Sequence, residues 1–138
     1  MCMKISLPPS LKWVRSVIMS GRPGLIIPGR WVMYEYYYEQ KDKLLHIKED
    51  QLMQKKEFWE IEFDKEGSFR QKSNIPVKFF ENQKVCYWKL SGNYLIVGSG
   101  NYRETFQFAV TARQMRLLQK EKTGRIVFFG FFRKKLVE

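Results

Sequence analysis

Histidine is nearly missing from this chain: His46 stands alone. A metal site built on two or three imidazoles is therefore excluded within one chain. Acid–base catalysis by histidine would rest on one residue, in a stretch that reads as an exposed loop. Cysteine is scarce too. Cys2 and Cys86 form no C-x-x-C or zinc-type spacing, and Cys86 falls on an apolar strand face, where it reads as a small buried hydrophobe. No apolar run approaches the roughly 18–20 residues of a membrane helix. Neither a phosphate-binding G-x-x-x-x-G-K-[ST] loop nor a G-x-S-x-G elbow is present. Gly98-Ser99-Gly100 has no third glycine and no helix after it, so it is only a turn. No catalytic residue, metal or cofactor is expected.

Acidic residues are unevenly missing. Residues 1–30 hold five cations and no acid, for +5; residues 31–68 hold six lysines and ten acids, for −4; residues 69–138 hold fourteen cations and four acids, for +10. The net charge of +11 thus sits at the two ends of the sequence. Such a surface attracts anions. In the last third, Arg116, Lys120 and Arg125 are candidates to share one outward face and bind an anionic partner, whether nucleic acid, polysaccharide or acidic protein. Tyr36 and Tyr102 are candidates to stack on bases there. The plainer reading is that these charges solvate the outer faces of strands.

What the chain has in quantity is aromatic side chains: seven Tyr, eleven Phe and four Trp in 138 residues. A single packed core is within reach at this length. Val85–Gly98 is the clearest stretch. Cys86, Trp88 and Leu90 alternate with Tyr87 and Lys89; Leu95 and Val97 alternate with Tyr94 and Ile96; Ser91-Gly92-Asn93 supplies a hairpin turn. The same pattern recurs from Arg30 to the end. Trp59, Ile61 and Phe63 alternate with carboxylates, Phe106 and Phe108 with polar residues, and Met115 and Leu117 with Gln114 and Arg116. In the first strand, Trp31 and Met33 are expected on one face and Tyr34, Tyr36 and Tyr38 on the other. The last strand is apolar on both faces, so it needs neighbours on both. Residues 41–56 fit no period cleanly; a short helix near Lys48–Gln54 and a strand with an excursion both remain open.

About eight short strands with local connections predict an all-β fold: an eight-stranded antiparallel up-and-down barrel, which removes both sheet edges. Ahead of it, Ser10–Gly21 has helical spacing, with Ser10 as N-cap and Gly21 as stop. Residues 1–28 then form a helix and linker, and residues 29–138 the barrel. Pro8-Pro9 and the nearby cations interrupt any leader-like apolar stretch. Met1-Cys2 is also compatible with a start placed before the mature cysteine of a lipoprotein. That would make the protein secreted, periplasmic or lipid-anchored.

Gly29-Arg30-Trp31 opening the first strand resembles the G-x-W signature of lipocalins. The run Phe63-Asp64…Gly67…Phe69, followed by a Tyr-Trp strand, Ser-Gly-Asn and Tyr94-Leu95-Ile96-Val97, is similar to bacterial lipocalin-like proteins. The resemblance covers roughly Gly29 to Lys135. The T-D-Y triplet of the classical members is missing. The resemblance implies that Trp31 packs against a basic residue from the last strand, with Arg133 as the candidate. From the strand faces themselves, such a barrel is just wide enough to bind one small apolar molecule, lined by Met33, Trp59, Ile61, Phe63, Trp88, Leu95, Phe106, Phe108 and Met115, or to be filled by these bulky side chains; no enzymatic activity is expected.

Overall fold

Six of the twelve residues of the first strand, β1 (Gly29–Gln40), are aromatic or β-branched, and its length lets it serve three neighbours. The computed structural model describes residues 22–76, 79 and 86–136. The helix expected at residues 10–21, and Cys2, lie outside the described residues. A single helical turn, α1 (Pro23–Ile26), leads into β1. β2 (Lys43–Ile47) follows through a tight turn in which Lys41 and Asp42 both take positive φ, 52° and 65°. Next come α2 (Glu49–Lys55), β3 (Trp59–Phe63), β4 (Ser68–Ser73), β5 (Cys86–Ser91), β6 (Tyr94–Ser99), β7 (Tyr102–Val110), β8 (Gln114–Lys120) and β9 (Ile126–Lys134). The helix at α2 resolves the segment that fits no clean period: the Lys48 backbone N–H donates to Gln51 Oε1 at 2.8 Å at its start, and Lys56 stops it with φ 55°. Among the described residues no helix is long and apolar enough to cross a membrane.

All pairings are antiparallel. β3 to β9 follow one another in order, and β9 returns to β1 through Trp31↔Lys134 to Tyr37↔Phe129. β1, β3, β4, β5, β6, β7, β8 and β9 therefore close an eight-stranded barrel, a fold compatible with the lipocalin type. β2 is a ninth strand, laid along the far half of β1, with Tyr36↔Ile47 to Gln40↔Lys43 in register.

A bulge in β1 between Met33 and Glu35 changes which side chains point inward. Trp31 and Met33 face the interior as expected, but Tyr36 and Tyr38 join them there, and Tyr34 and Tyr37 face out. The strict alternation read from the sequence assigned Tyr36 and Tyr38 to the wrong side because one extra residue shifts the period. β9 is apolar on both faces because each face is buried in its own cluster. Phe128 and Phe132 point into the barrel core, while Phe129 and Phe131 join a second cluster outside it, with Leu118, Ile126, Tyr34, Tyr37 and Leu44. Gly130 lies between Phe128 and Phe132 on the inner side, and a Cβ there would come within 2.3 Å of the Phe128 ring. The glycine leaves room for that ring; the register shift in β9 lies further back, opposite Gln119 and Lys120.

Candidate functional site

The residues expected to line a ligand cavity do converge. Met33, Trp59, Ile61, Phe63, Leu95, Phe106, Phe108 and Met115 are all buried in the barrel, and Trp88 is half-buried against them. Among the described residues, rings pack against one another across that interior. Trp59 stacks on Phe79 at 5.5 Å and meets Phe128 and Phe132 edge-on at 5.2 and 5.6 Å. Its indole Nε1 donates to Gln71 Oε1 at 2.7 Å, and Gln71 donates in turn to the Phe79 carbonyl at 2.9 Å. An interior void of about 10 Å3 remains beside Ile61, Phe69, Leu95 and Phe106. That is the room of roughly one water-sized sphere. Burial pushes the Cys86 thiol up, which keeps it protonated and unreactive. One barrel end is polar inside: the Tyr102 hydroxyl donates to Glu104, and Gln119 Nε2 donates to the same carboxylate at 2.9 Å.

At the other end the barrel base is closed by Lys134, not by Arg133. The Lys134 ammonium lies 4.7 Å above the Trp31 ring and donates to the carbonyls of Ile26 and Pro28 at 2.9 and 2.7 Å. Trp31 Nε1 donates to the Ile27 carbonyl at 2.8 Å. Gly29, at φ +130°, passes so close that a Cβ would lie 2.8 Å from Lys134 Cε. Burial pulls the Lys134 ammonium below its usual range. Strand parity explains the exchange: Arg133 faces out, where it lies 4.0 Å over the Tyr34 ring and grips both carboxylate oxygens of Glu49 at 2.6 and 3.2 Å. That grip raises Arg133 and lowers Glu49 from their ordinary values.

The three cations expected to gather do not form one cluster. Arg116 lies 4.9 Å over the Phe131 ring, and burial lowers it from its usual value. Lys120 is four residues further along β8, roughly 13 Å at strand rise. Arg125 is held by Glu121 at 2.9 Å and by the Glu39 carbonyl at 3.0 Å. The tyrosines proposed for base stacking are elsewhere as well: Tyr36 is fully buried, and Tyr102 faces the polar barrel end. His46 is not in a loop. It sits in β2, stacked on Tyr37 at 4.1 Å and 2.6 Å from Glu35 Oε2. Among the described residues, no group of three or more His, Cys, Asp or Glu could hold a metal ion.

A different surface has the required composition. Inward residues of β4 to β7 are core, so their alternate positions must face solvent. These are Ser68, Arg70 and Lys72 on β4, Tyr87, Lys89 and Ser91 on β5, Tyr94, Ile96 and Gly98 on β6, and Arg103, Thr105 and Gln107 on β7. They include four cations, two tyrosines and no carboxylate. The carboxylates that flank Arg70 and Lys72 across the β3–β4 pair are Glu62 and Glu60, and both have other cations: Arg30 at 3.8 Å and Lys135 at 2.8 Å. Tyr87 and Tyr94 are 59% and 45% exposed, among the most exposed aromatics described. Cross-strand register puts Tyr87 opposite Gly98, and Gly98 opposite Arg103. The result is a groove of about 180 Å3 walled by Tyr87, Lys89 and Arg103 and floored by Gly98 and Gly100. A signal for this site was in the hairpin itself, since Tyr87 and Lys89 alternate with the core residues Cys86 and Trp88.

No protein-family model, no curated protein and no solved structure matches the chain.

Proposed function

We propose that this protein is a non-enzymatic binding module whose barrel is a side-chain-filled scaffold and whose partner is anionic, engaged by the outer face of β4 to β7. The observation that carries the reading is the composition of that face: Arg70, Lys72, Lys89 and Arg103 with two exposed tyrosines and no carboxylate. A uniform field of this kind raises the local concentration of anions and speeds their encounter. The packing of the described core residues supports the same reading. Pockets that enclose a small molecule run to roughly 300–1,000 Å3, far above the void of about 10 Å3 that the described residues leave beside Ile61 and Phe69. Kinship with the lipocalins belongs to the proposal; its support is the barrel closure and the cation over Trp31 behind Gly29.

The test is retention on immobilised heparin. Reversing Lys89 and Arg103 together to Glu should shift elution to markedly lower salt, while reversing Arg116 and Arg125 should shift it less. Equal shifts from both pairs would leave only net charge at work and reject this face.

A further inference from the structure

We propose that the groove between Tyr87 and Arg103 is a stacking site for one base of a single-stranded nucleic acid, with Lys89 and Arg103 holding the flanking phosphates. The proposal rests on the anionic-partner reading above and gives that partner a chemistry.

Four observations carry it. The groove, at about 180 Å3, is smaller than the roughly 300 Å3 at which pockets begin to enclose a whole small molecule. It suits one ring system of a longer ligand. One wall is an aromatic face, Tyr87, held at a fixed register and 59% exposed. An exposed ring costs water contact and offers stacking area with little side-chain entropy to lose. Arg103 stands across Gly98 from Tyr87, and Lys89 follows Tyr87 on the same face of β5, so cations from two strands flank the ring, and no carboxylate lines the groove. A guanidinium contributes both charge and a planar face to a base.

The floor is the fourth observation. Gly98 sits where β6 and β7 approach so closely that a Cβ would lie 2.2 Å from the Tyr102 carbonyl oxygen. No side chain rises from the floor between Tyr87 and Arg103; the stem of Arg103 lies over it instead, its Cγ 3.1 Å from where that Cβ would be, so a ring stacked on Tyr87 would lie beside the arginine stem. Tyr94 adds a second exposed ring on the same face. It is two cross-strand rows beyond Lys89 and Ile96, reached through Ser91, so the separation from Tyr87 is roughly 13 Å along the strands. An aromatic, a lysine and a second aromatic in line match a strand of bases and phosphates better than an isolated anion does. A duplex hides its bases and has no use for either ring.

The experiment is fluorescence anisotropy of short labelled oligonucleotides with the full chain, at two salt concentrations. A homopolymeric single strand, the matching duplex and unlabelled heparin as competitor are compared. The single strand should bind tighter than the duplex. Tyr87→Ala should weaken it about tenfold, within the range measured for losing one stacked base, and Tyr87→Phe should restore most of the loss. Lys89→Gln and Arg103→Gln should each lower the salt slope by about one. Tyr87 projects from the surface, so these variants keep the core intact, and circular dichroism checks that they do. If heparin and both nucleic acids compete equally and Tyr87→Ala changes nothing, the stacking site is overturned and the polyanion reading stands. If nothing binds even at about 50 mM salt, where phosphate contacts are strong, both are overturned.

Discussion

The barrel has two kinds of wall. Where β8, β9 and β1 meet, both faces are apolar. Phe128 and Phe132 fill the interior, and Phe129, Phe131, Leu118 and Ile126 are buried on the outside. Across the molecule, β4 to β7 have a core face and a wet face, and the wet face carries tyrosines and cations. The first wall is where the barrel closes; the second is where it can meet something else. On the proposed function, stability and recognition are divided between opposite sides of the barrel, and a change on one side should leave the other nearly untouched.

The largest test of that division is Phe129→Ala. Phe129 is outside the barrel yet fully buried, so its loss should cost about 3–5 kcal/mol, the range for truncating a core phenylalanine. Thr105→Ala, on the outer side of β7, should stay within about 0.5 kcal/mol. Chemical denaturation measures both, and a small effect at Phe129 would reduce the double-sided wall to a single-sided one. A middling effect is expected where the closing wall reaches the barrel base. In a double-mutant cycle, Trp31→Ala and Lys134→Met should couple by about 0.5–2 kcal/mol, whereas Trp31→Ala and Arg133→Ala should be additive. Coupling to Arg133 instead would move the closure back to the residue first expected there.

The smallest effect is a pH dependence. Tyr36 lies in the closing wall, and burial pushes its hydroxyl far above its ordinary value of 10. A raised folded-state value means that the native state holds the proton longer than the unfolded chain does. Stability from this group is therefore full below pH 10 and declines as pH rises past it. Thermal melts between neutral and strongly alkaline pH should show that decline, and Tyr36→Phe should flatten it. An unchanged alkaline limb would mean the hydroxyl is not sequestered.

The fold was legible because alternation and turn chemistry are local. Residues such as Cys86, Trp88, Leu95 and Val97 announce their face through their neighbours. What escaped was set by single-residue irregularities. The bulge at Met33–Glu35 turned Tyr36 and Tyr38 inward, and nothing in the local composition marks it. The exchange of Arg133 for Lys134 over Trp31 follows from the parity of β9, which adjacent cations cannot reveal. Whether a barrel holds a cavity depends on how far rings reach across it. Trp59, Phe79 and Phe128 meet from three parts of the chain, and sequence order carries no record of that. The outward face was half visible: Tyr87 and Lys89 were on the correct side of the hairpin, but the groove needs Arg103 and Gly98 from two further strands.

The closure at Lys134 has a consequence in time as well as in space. Its ammonium binds carbonyls 106 and 108 residues back along the chain, and Ile126 N donates to Glu39 Oε1 across 87 residues at 2.8 Å. During synthesis, seven barrel strands must therefore wait for the eighth. Until β9 arrives, the free sides of β1 and β8 stay open, with the aromatic faces beside them uncovered. Contacts between such distant residues form slowly, and open strand edges beside apolar surface invite pairing with other chains. A nascent chain stalled just before β9 should be far more prone to self-association than the finished protein.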